Sequence, residues 1–267
     1  MKCGTTSLHR YLGAHPQVFM SATKELNFFI EEASWSRGVD WYSACFPADR
    51  PVRGESSPSY AHYPYFDGVP ERMRAVVPGA KLIYLIRDPV ERIVSHWIHD
   101  AASGREARSL DECLADVERS GYVMASRYFA QLERYLRWFP IERILVARLD
   151  DLELARDATL ERVFRFLEVD ASFRSVQFAR VEHRSSGKRR LTSLGVRFRE
   201  SAPGRALAGL PDPLARRIAR VVERPLSRAV ERPVLAPELR ERVLASLRPD
   251  GAQLGALIGI DLSAWYG

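Results

Sequence analysis

The chain predicts an α/β fold: three layers, α/β/α, around a central parallel sheet, with a helical C-terminal part. Short, wholly apolar segments alternate with amphipathic ones, and strands apolar on both faces need helices on both sides of their sheet. The 267 residues, 46% of them hydrophobic, suit one compact domain over residues 1–267 better than two.

Taken in order, Gly4 opens a loop that feeds a helix with Leu8, Tyr11 and Leu12 on one face, and His15-Pro16 ends it. Val52–Gly54 is a short strand. Lys81–Ile86 is the clearest buried strand. Asp88 then caps a helix with Pro89 in its first turn and Ile93, Val94 and Trp97 facing inward, closed near Ser103-Gly104. Helices follow over Leu110–Arg119 and over Tyr128–Phe139, the latter with Leu132, Tyr135 and Leu136 as its stripe. Ile144–Ala147 is a second buried strand and Ala158–Leu167 another amphipathic helix. Residues 181–194 read as a polar, cationic loop, and the Arg-rich helices beyond are broken at Pro203, Pro211, Pro225, Pro233 and Pro237.

Composition removes several function classes. Forty basic residues against 34 acidic give +6, but the charges are interleaved, so a nucleic-acid partner is not expected. Cys3, Cys45 and Cys113 are odd in number and far apart, which argues against a disulfide framework and, with the absence of zinc spacing, against a metal site. No apolar run approaches the ~20 residues of a membrane span. A soluble, cytoplasmic protein with no stable membrane insertion is the expectation. Almost every cation is Arg; the lysines are Lys2, Lys24, Lys81 and Lys188, and three of them fall in the motifs below. A compact ammonium serves where a flat guanidinium does not.

Three constellations are suited to anions. In Lys2-Cys3-Gly4-Thr5-Thr6-Ser7, glycine lets the backbone approach an anion and the helix N-terminus supplies amides and positive potential, although a Ser/Thr-rich helix start is also ordinary capping. Lysine precedes the glycine here, unlike the usual nucleotide P-loop. Arg87 leaves the C-terminal end of a buried strand, with Ser95 two turns along the next helix. An arginine fork and a hydroxyl there suit one phosphate. Ser185-Ser186-Gly187-Lys188-Arg189-Arg190 is either a solvated loop or a lid over a polyanion.

In this order, these segments resemble the sulfotransferases that use 3′-phosphoadenosine 5′-phosphosulfate (PAPS), nearest the bacterial and heparan-modifying carbohydrate branch. Lys2 to Leu8 resembles the 5′-phosphosulfate loop, Lys24-Glu25-Leu-Asn-Phe-Phe29 the following Lys-Glu-x-x-Phe-Phe segment, and Gly54-Glu-Ser-Ser-Pro-Ser-Tyr60 the next strand-end motif. Arg87 to Ser95 resembles the 3′-phosphate site and Ser186 to Arg189 the cofactor-closing loop; Leu254 to Trp265 is similar to the terminal helix. The resemblance implies a P-loop-type fold and in-line sulfuryl transfer to a hydroxyl or amine of a glycan or small molecule, with no metal. Lys2 would stabilise the leaving phosphate. Arg87, Ser95, Ser186, Gly187, Lys188 and Arg189 would hold the 3′-phosphate. Glu25 would be the general base, with His62, His96, His99 and His183 as rivals. Trp35, Trp41, Tyr42, Tyr60, Tyr63 and Tyr65 are divided between acceptor cleft and core.

Two departures qualify the resemblance. Heparan-modifying relatives often carry Lys where this chain has Ser56, which argues against a highly anionic acceptor. Relatives also enter the loop from a buried strand ending in Pro, where this chain has Met1. The expectation is that this strand is missing and that upstream translation supplies it. The rival readings are a P-loop nucleotide kinase or a nucleotide-binding remnant without transfer activity.

Overall fold

The computed structural model describes residues 2–46, 50–179, 189–192, 201 and 225–267. Its elements are α1 (Thr5–Ala14), β1 (Val18–Met20), α2 (Gly38–Ala44), β2 (Val52–Gly54), α3 (Val69–Val76), β3 (Leu82–Ile86), α4 (Pro89–Ser103), α5 (Leu110–Cys113), α6 (Gly121–Met124), α7 (Tyr128–Leu136), β4 (Ile144–Arg148), α8 (Leu149–Leu154), α9 (Arg156–Leu167), β5 (Arg189–Leu191), β6 (Ser227–Ala229) and α10 (Pro237–Ile258).

The strands pair in twos. β1 and β2 are parallel, with Val18 opposite Val52 and Met20 opposite Gly54. β3 and β4 are parallel, from Leu82 opposite Ile144 to Ile86 opposite Arg148. Side chains alternate across the second pair as period 2 requires. Leu85 and Ala147 join Leu8, Tyr11, Leu12, Val163 and Phe164 of α1 and α9 on one face. Ile86, Ile144 and Val146 join Ile93 and Val94 of α4, Leu132 of α7 and Leu244 of α10 on the other. The predicted layering holds, and so do the parallel pairs.

Among the described residues the two pairs share no ladder. They face each other across a cavity of about 780 Å³ lined by consecutive residues of both, Val52–Gly54 and Leu82–Leu85, with Cys3, Leu8 and Arg92 closing its sides.

Local chemistry sets the helix ends. The Asp88 carboxylate accepts the Glu91 amide at 2.8 Å, Pro89 begins α4, and Gly104 (φ 77°) stops it. Four expectations need correction. The helix expected over Leu110–Arg119 is a single turn held by a Ser109–Glu112 capping box. Pro237 opens the longest helix instead of breaking one, because proline suits a first turn, and Pro249 lies inside it. Trp97 is half-exposed, its Nε1 donating to the Arg108 carbonyl, while Ile98 is buried. Residues 189–191, expected as loop, form β5, which pairs antiparallel with β6.

Candidate active site

The first loop is shaped by backbone conformation. Lys2 (φ 68°) and Gly4 (φ 80°) are left-handed, and a Cβ on Gly4 would lie 2.6 Å from Leu149 Cδ1. Only glycine meets both constraints without strain. No side chain caps α1, so its first-turn amides at Thr5 and Thr6 and its positive end are available to an anion. Thr5 and Thr6 are half-buried; Cys3, at 3% exposure, and Ser7 turn inward. Cys3 therefore offers the site its backbone and packs its thiol in the core.

Arg87 emerges from the C-terminal end of β3. Its Nη1 donates to the Lys2 carbonyl at 3.2 Å and its Nη2 to Glu91 Oε2 at 3.1 Å. The Tyr128 hydroxyl donates to the Arg87 carbonyl at 2.9 Å. Two segments 85 residues apart are thus joined directly. Glu91 also pairs with Arg232, a cation that sequence reading did not single out. Ser95 lies on the same helix but is 1% exposed. Arg189 sits in β5, which packs on α4, and its guanidinium is bonded to the Ser227 hydroxyl at 2.9 Å and to the Ser227 carbonyl. Ser186, Gly187, Lys188 and His183 lie outside the described residues.

The Lys24–Glu25 segment follows β1 and lies beside the residues that follow β2. Lys24 Nζ is 2.5 Å from Glu25 Oε1, and the Glu25 amide donates to the Ser56 carbonyl at 3.0 Å. His9, on α1, places Nδ1 3.2 Å from Ser56 Oγ, tying the first loop's helix to this segment. Burial, then the Lys24 charge, holds the His9 pKa below its ordinary value. Sequence reading missed His9, which sits between the Leu8 and Tyr11 core positions and carries no motif of its own.

It also passed over Glu55. The Glu55 carboxylate accepts from Ser57 Oγ at 2.5 Å, from the Tyr60 hydroxyl at 2.6 Å and from the Tyr42 hydroxyl at 3.4 Å, with the Leu26 amide as a fourth polar neighbour. Burial raises its pKa while these four donors oppose the rise. Burial and the adjoining carboxylate raise both tyrosine hydroxyls well above their ordinary range. An acid flanked by hydroxyls in Gly54–Tyr60 was the signal available for it.

The histidine rivals occupy other ground. His62 and His96 are buried and stacked at 5.3 Å, and His96 lies 3.3 Å from both Arg92 Nη1 and Asp100 Oδ2. Burial pushes His62 down to about 3, and burial with Arg92 beside it holds His96 lower still. Burial thus favours the neutral form of both near pH 7. Of the six aromatics, Tyr42 and Tyr60 bond Glu55 and Trp35 and Trp41 pack on Phe28, whereas Tyr65 is 63% exposed. No helix among the described residues is long and apolar enough to cross a membrane.

Comparison with known proteins bears on the family and the fold. The profile described as "Sulfotransferase domain" matches residues 1–189. Mouse "Heparan sulfate glucosamine 3-O-sulfotransferase 5" is 29% identical over 181 residues, covering 63% of this chain and 51% of that protein. Human "Bifunctional heparan sulfate N-deacetylase/N-sulfotransferase 2" is 26% identical over 189 residues, covering 63% and 21%. The chain thus spans about half, or less, of these curated relatives. The crystal structure of a sulfotransferase from Alicyclobacillus acidocaldarius superposes with a TM-score of 0.69 at 27% identity, covering 100% of this chain and 95% of that one. With the loop, the strand-end arginine and the profile match over most of its length, this chain belongs to the sulfotransferase family.

Proposed function

We propose that the chain transfers a sulfuryl group from PAPS to a hydroxyl or amine, with a glycan as the first acceptor class to test and a small molecule as the alternative. The observation that carries this reading is the convergence of Lys2, Arg87 and the Glu25 segment, linked by the Arg87–Lys2 and His9–Ser56 contacts. Family membership and the heparan sulfate relatives support the chemistry and the acceptor class.

PAPS as donor supplies an activated sulfur–oxygen bond to its 5′-phosphate. Lys2 and the Thr5 and Thr6 amides neutralise the charge that grows on that phosphate as the bond breaks. Arg87 exchanges Glu91 for the 3′-phosphate, and the resemblance assigns Ser95, Arg189 and residues 186–188 to the same group. Glu25 takes the acceptor's proton as the new bond to sulfur forms, so adenosine 3′,5′-bisphosphate leaves with the bridging oxygen.

The cavity between the strand pairs suits one further β-strand, running parallel to β3. Supporting this, the Lys2 carbonyl lies against Arg87 at the C-terminal end of β3, so a strand leading into the loop runs the same way as β3. Cys3 and Arg92 line the cavity, and Arg92 Nη2 is buried without a partner.

The test uses labelled PAPS with a heparan-type oligosaccharide and with p-nitrophenol. Glu25→Gln is expected to lose about 10²–10⁴-fold in turnover while binding adenosine 3′,5′-bisphosphate normally. Lys2→Ala and Arg87→Ala weaken that binding by calorimetry. Unchanged nucleotide affinity in both variants defeats the assignment.

A further inference from the structure

The Glu25 turn holds an unfavourable backbone. Glu25 (φ 65°) and Asn27 (φ 50°) are both left-handed, a conformation that non-glycine residues adopt only when their surroundings impose it. Phe28 and Phe29, both 0% exposed, anchor the far side of the turn, but apolar packing alone does not orient a peptide plane.

Hydrogen bonds supply that orientation, and they converge on one carboxylate. The bonds run through two hydroxyls that Glu55 holds. The Asn27 amide donates to Ser57 Oγ at 3.0 Å, and the Phe29 amide to the Tyr60 hydroxyl at 3.4 Å. A hydroxyl has one proton. Ser57 and Tyr60 both spend theirs on Glu55, which leaves their lone pairs for the two amides. An ionised carboxylate accepts only, so it sets the direction of every bond in the set. No cation is paired with Glu55 among the described residues, and an acid so enclosed costs stability unless donors compensate it.

The geometry points to Glu55 as the positioning residue of the Glu25 turn, holding its amides through Ser57 and Tyr60. This rests on Glu25 as the proton acceptor. Glu55 touches no reacting atom in this scheme; it fixes where the Glu25 carboxylate stands.

Glu55→Gln tests it in the full chain. The shape is kept, but an NH₂ donor replaces one acceptor oxygen, so one hydroxyl must turn its proton away and give up its amide. Amide hydrogen exchange at Asn27 and Phe29 is expected to accelerate about tenfold, with β3 and β4 unchanged. Turnover with labelled PAPS and a heparan-type oligosaccharide falls about a hundredfold, as a misplaced catalytic group entails, while adenosine 3′,5′-bisphosphate affinity stays within about twofold. The Glu25→Gln/Glu55→Gln double variant is no slower than Glu25→Gln, because both changes remove one function.

Ser57→Ala and Tyr60→Phe are gentler versions if Glu55→Gln folds poorly, each releasing one amide. Losses that multiply in the double variant, or amides that stay protected in Glu55→Gln, overturn the inference. Glu25→Gln turning over at the parental rate is a different failure. It removes the base assignment and the catalytic half of this inference, and the exchange data still decide whether Glu55 orders the turn.

Discussion

Two neighbouring regions solve the burial of polar backbone in opposite ways. Around Glu55 the donors and acceptors are matched, except for Asn27 Oδ1, and a strained turn is held in one conformation. Between β2 and β3 the strand edges face a cavity instead of each other, and Arg92 Nη2 and His62 Nε2 are buried without partners nearby. Burial alone gives no order. The turn is specified by directional bonds from Ser57 and Tyr60, some 30 residues along the chain. A central strand position is specified only by a chain segment that enters it.

The largest effect that breaks this contrast is filling the cavity. Extending the chain ahead of Met1 with a Val/Ile segment as long as β3 is expected to raise unfolding stability by about 2–4 kcal/mol, the burial of apolar side chains exceeding the entropy of ordering them. Amides of β2 and β3 gain exchange protection, while those of the Glu55 turn do not change. A Gly/Ser extension of the same length leaves stability alone. Equal behaviour of the two extensions in denaturant titrations removes the strand reading.

The same contrast explains what was legible in the sequence. Lys81–Ile86 and Ile144–Ala147 were visible because uninterrupted apolar runs have few alternatives, and α4 was visible because Asp88-Pro89 and Gly104 punctuate it. β1, as short as β2, was not singled out in the sequence. Leu110–Arg119 looked helical by composition, but the segment continues as a helix only to Cys113. Within the site, the loop, Arg87 and the Glu25 segment could be picked out by residue type and spacing. His9 and Glu55 could not, because their roles come from contacts 47 residues away and from a network of hydroxyls. Side-chain direction is decided by packing, which also turned Cys3 inward and made His62 and His96 a buried pair.

A middling effect concerns that pair. Their folded pKa values lie below the unfolded value of 6.5, so the unfolded state binds more protons once pH drops below it. Stability is therefore present above pH 6.5 and lost on acidification, down to about 3 for His62. Glu55, Asp88 and Asp250, raised by burial, work in the opposite direction as they take up protons. Between pH 6.5 and 5.5 a loss of about 1–2 kcal/mol is expected, since each neutral buried histidine contributes up to ~1.4 kcal/mol per pH unit. Urea midpoints across this range check it, and His62→Gln should halve the slope. A slope that survives His62→Gln unchanged places the titration elsewhere.

The smallest effect is the sharpest, because its sign depends on the cavity. Arg92 is 1% exposed, with Nη1 on His96 and Nη2, which carries two of its five N–H donors, buried without a partner among the described residues. Replacing such a group by an apolar side chain of similar reach is neutral or favourable, and Arg92→Met is expected to raise stability by about 1 kcal/mol. A strand in the cavity presents backbone carbonyls along its edges, and one of them becomes the partner of Nη2. In the Val/Ile-extended chain the same substitution then leaves that carbonyl unpaired and costs about 1–3 kcal/mol. Thermal midpoints of the four proteins, with and without the extension and with and without Arg92→Met, form a closed cycle. A coupling near zero would separate Arg92 from the cavity and leave its buried charge as a local expense of α4.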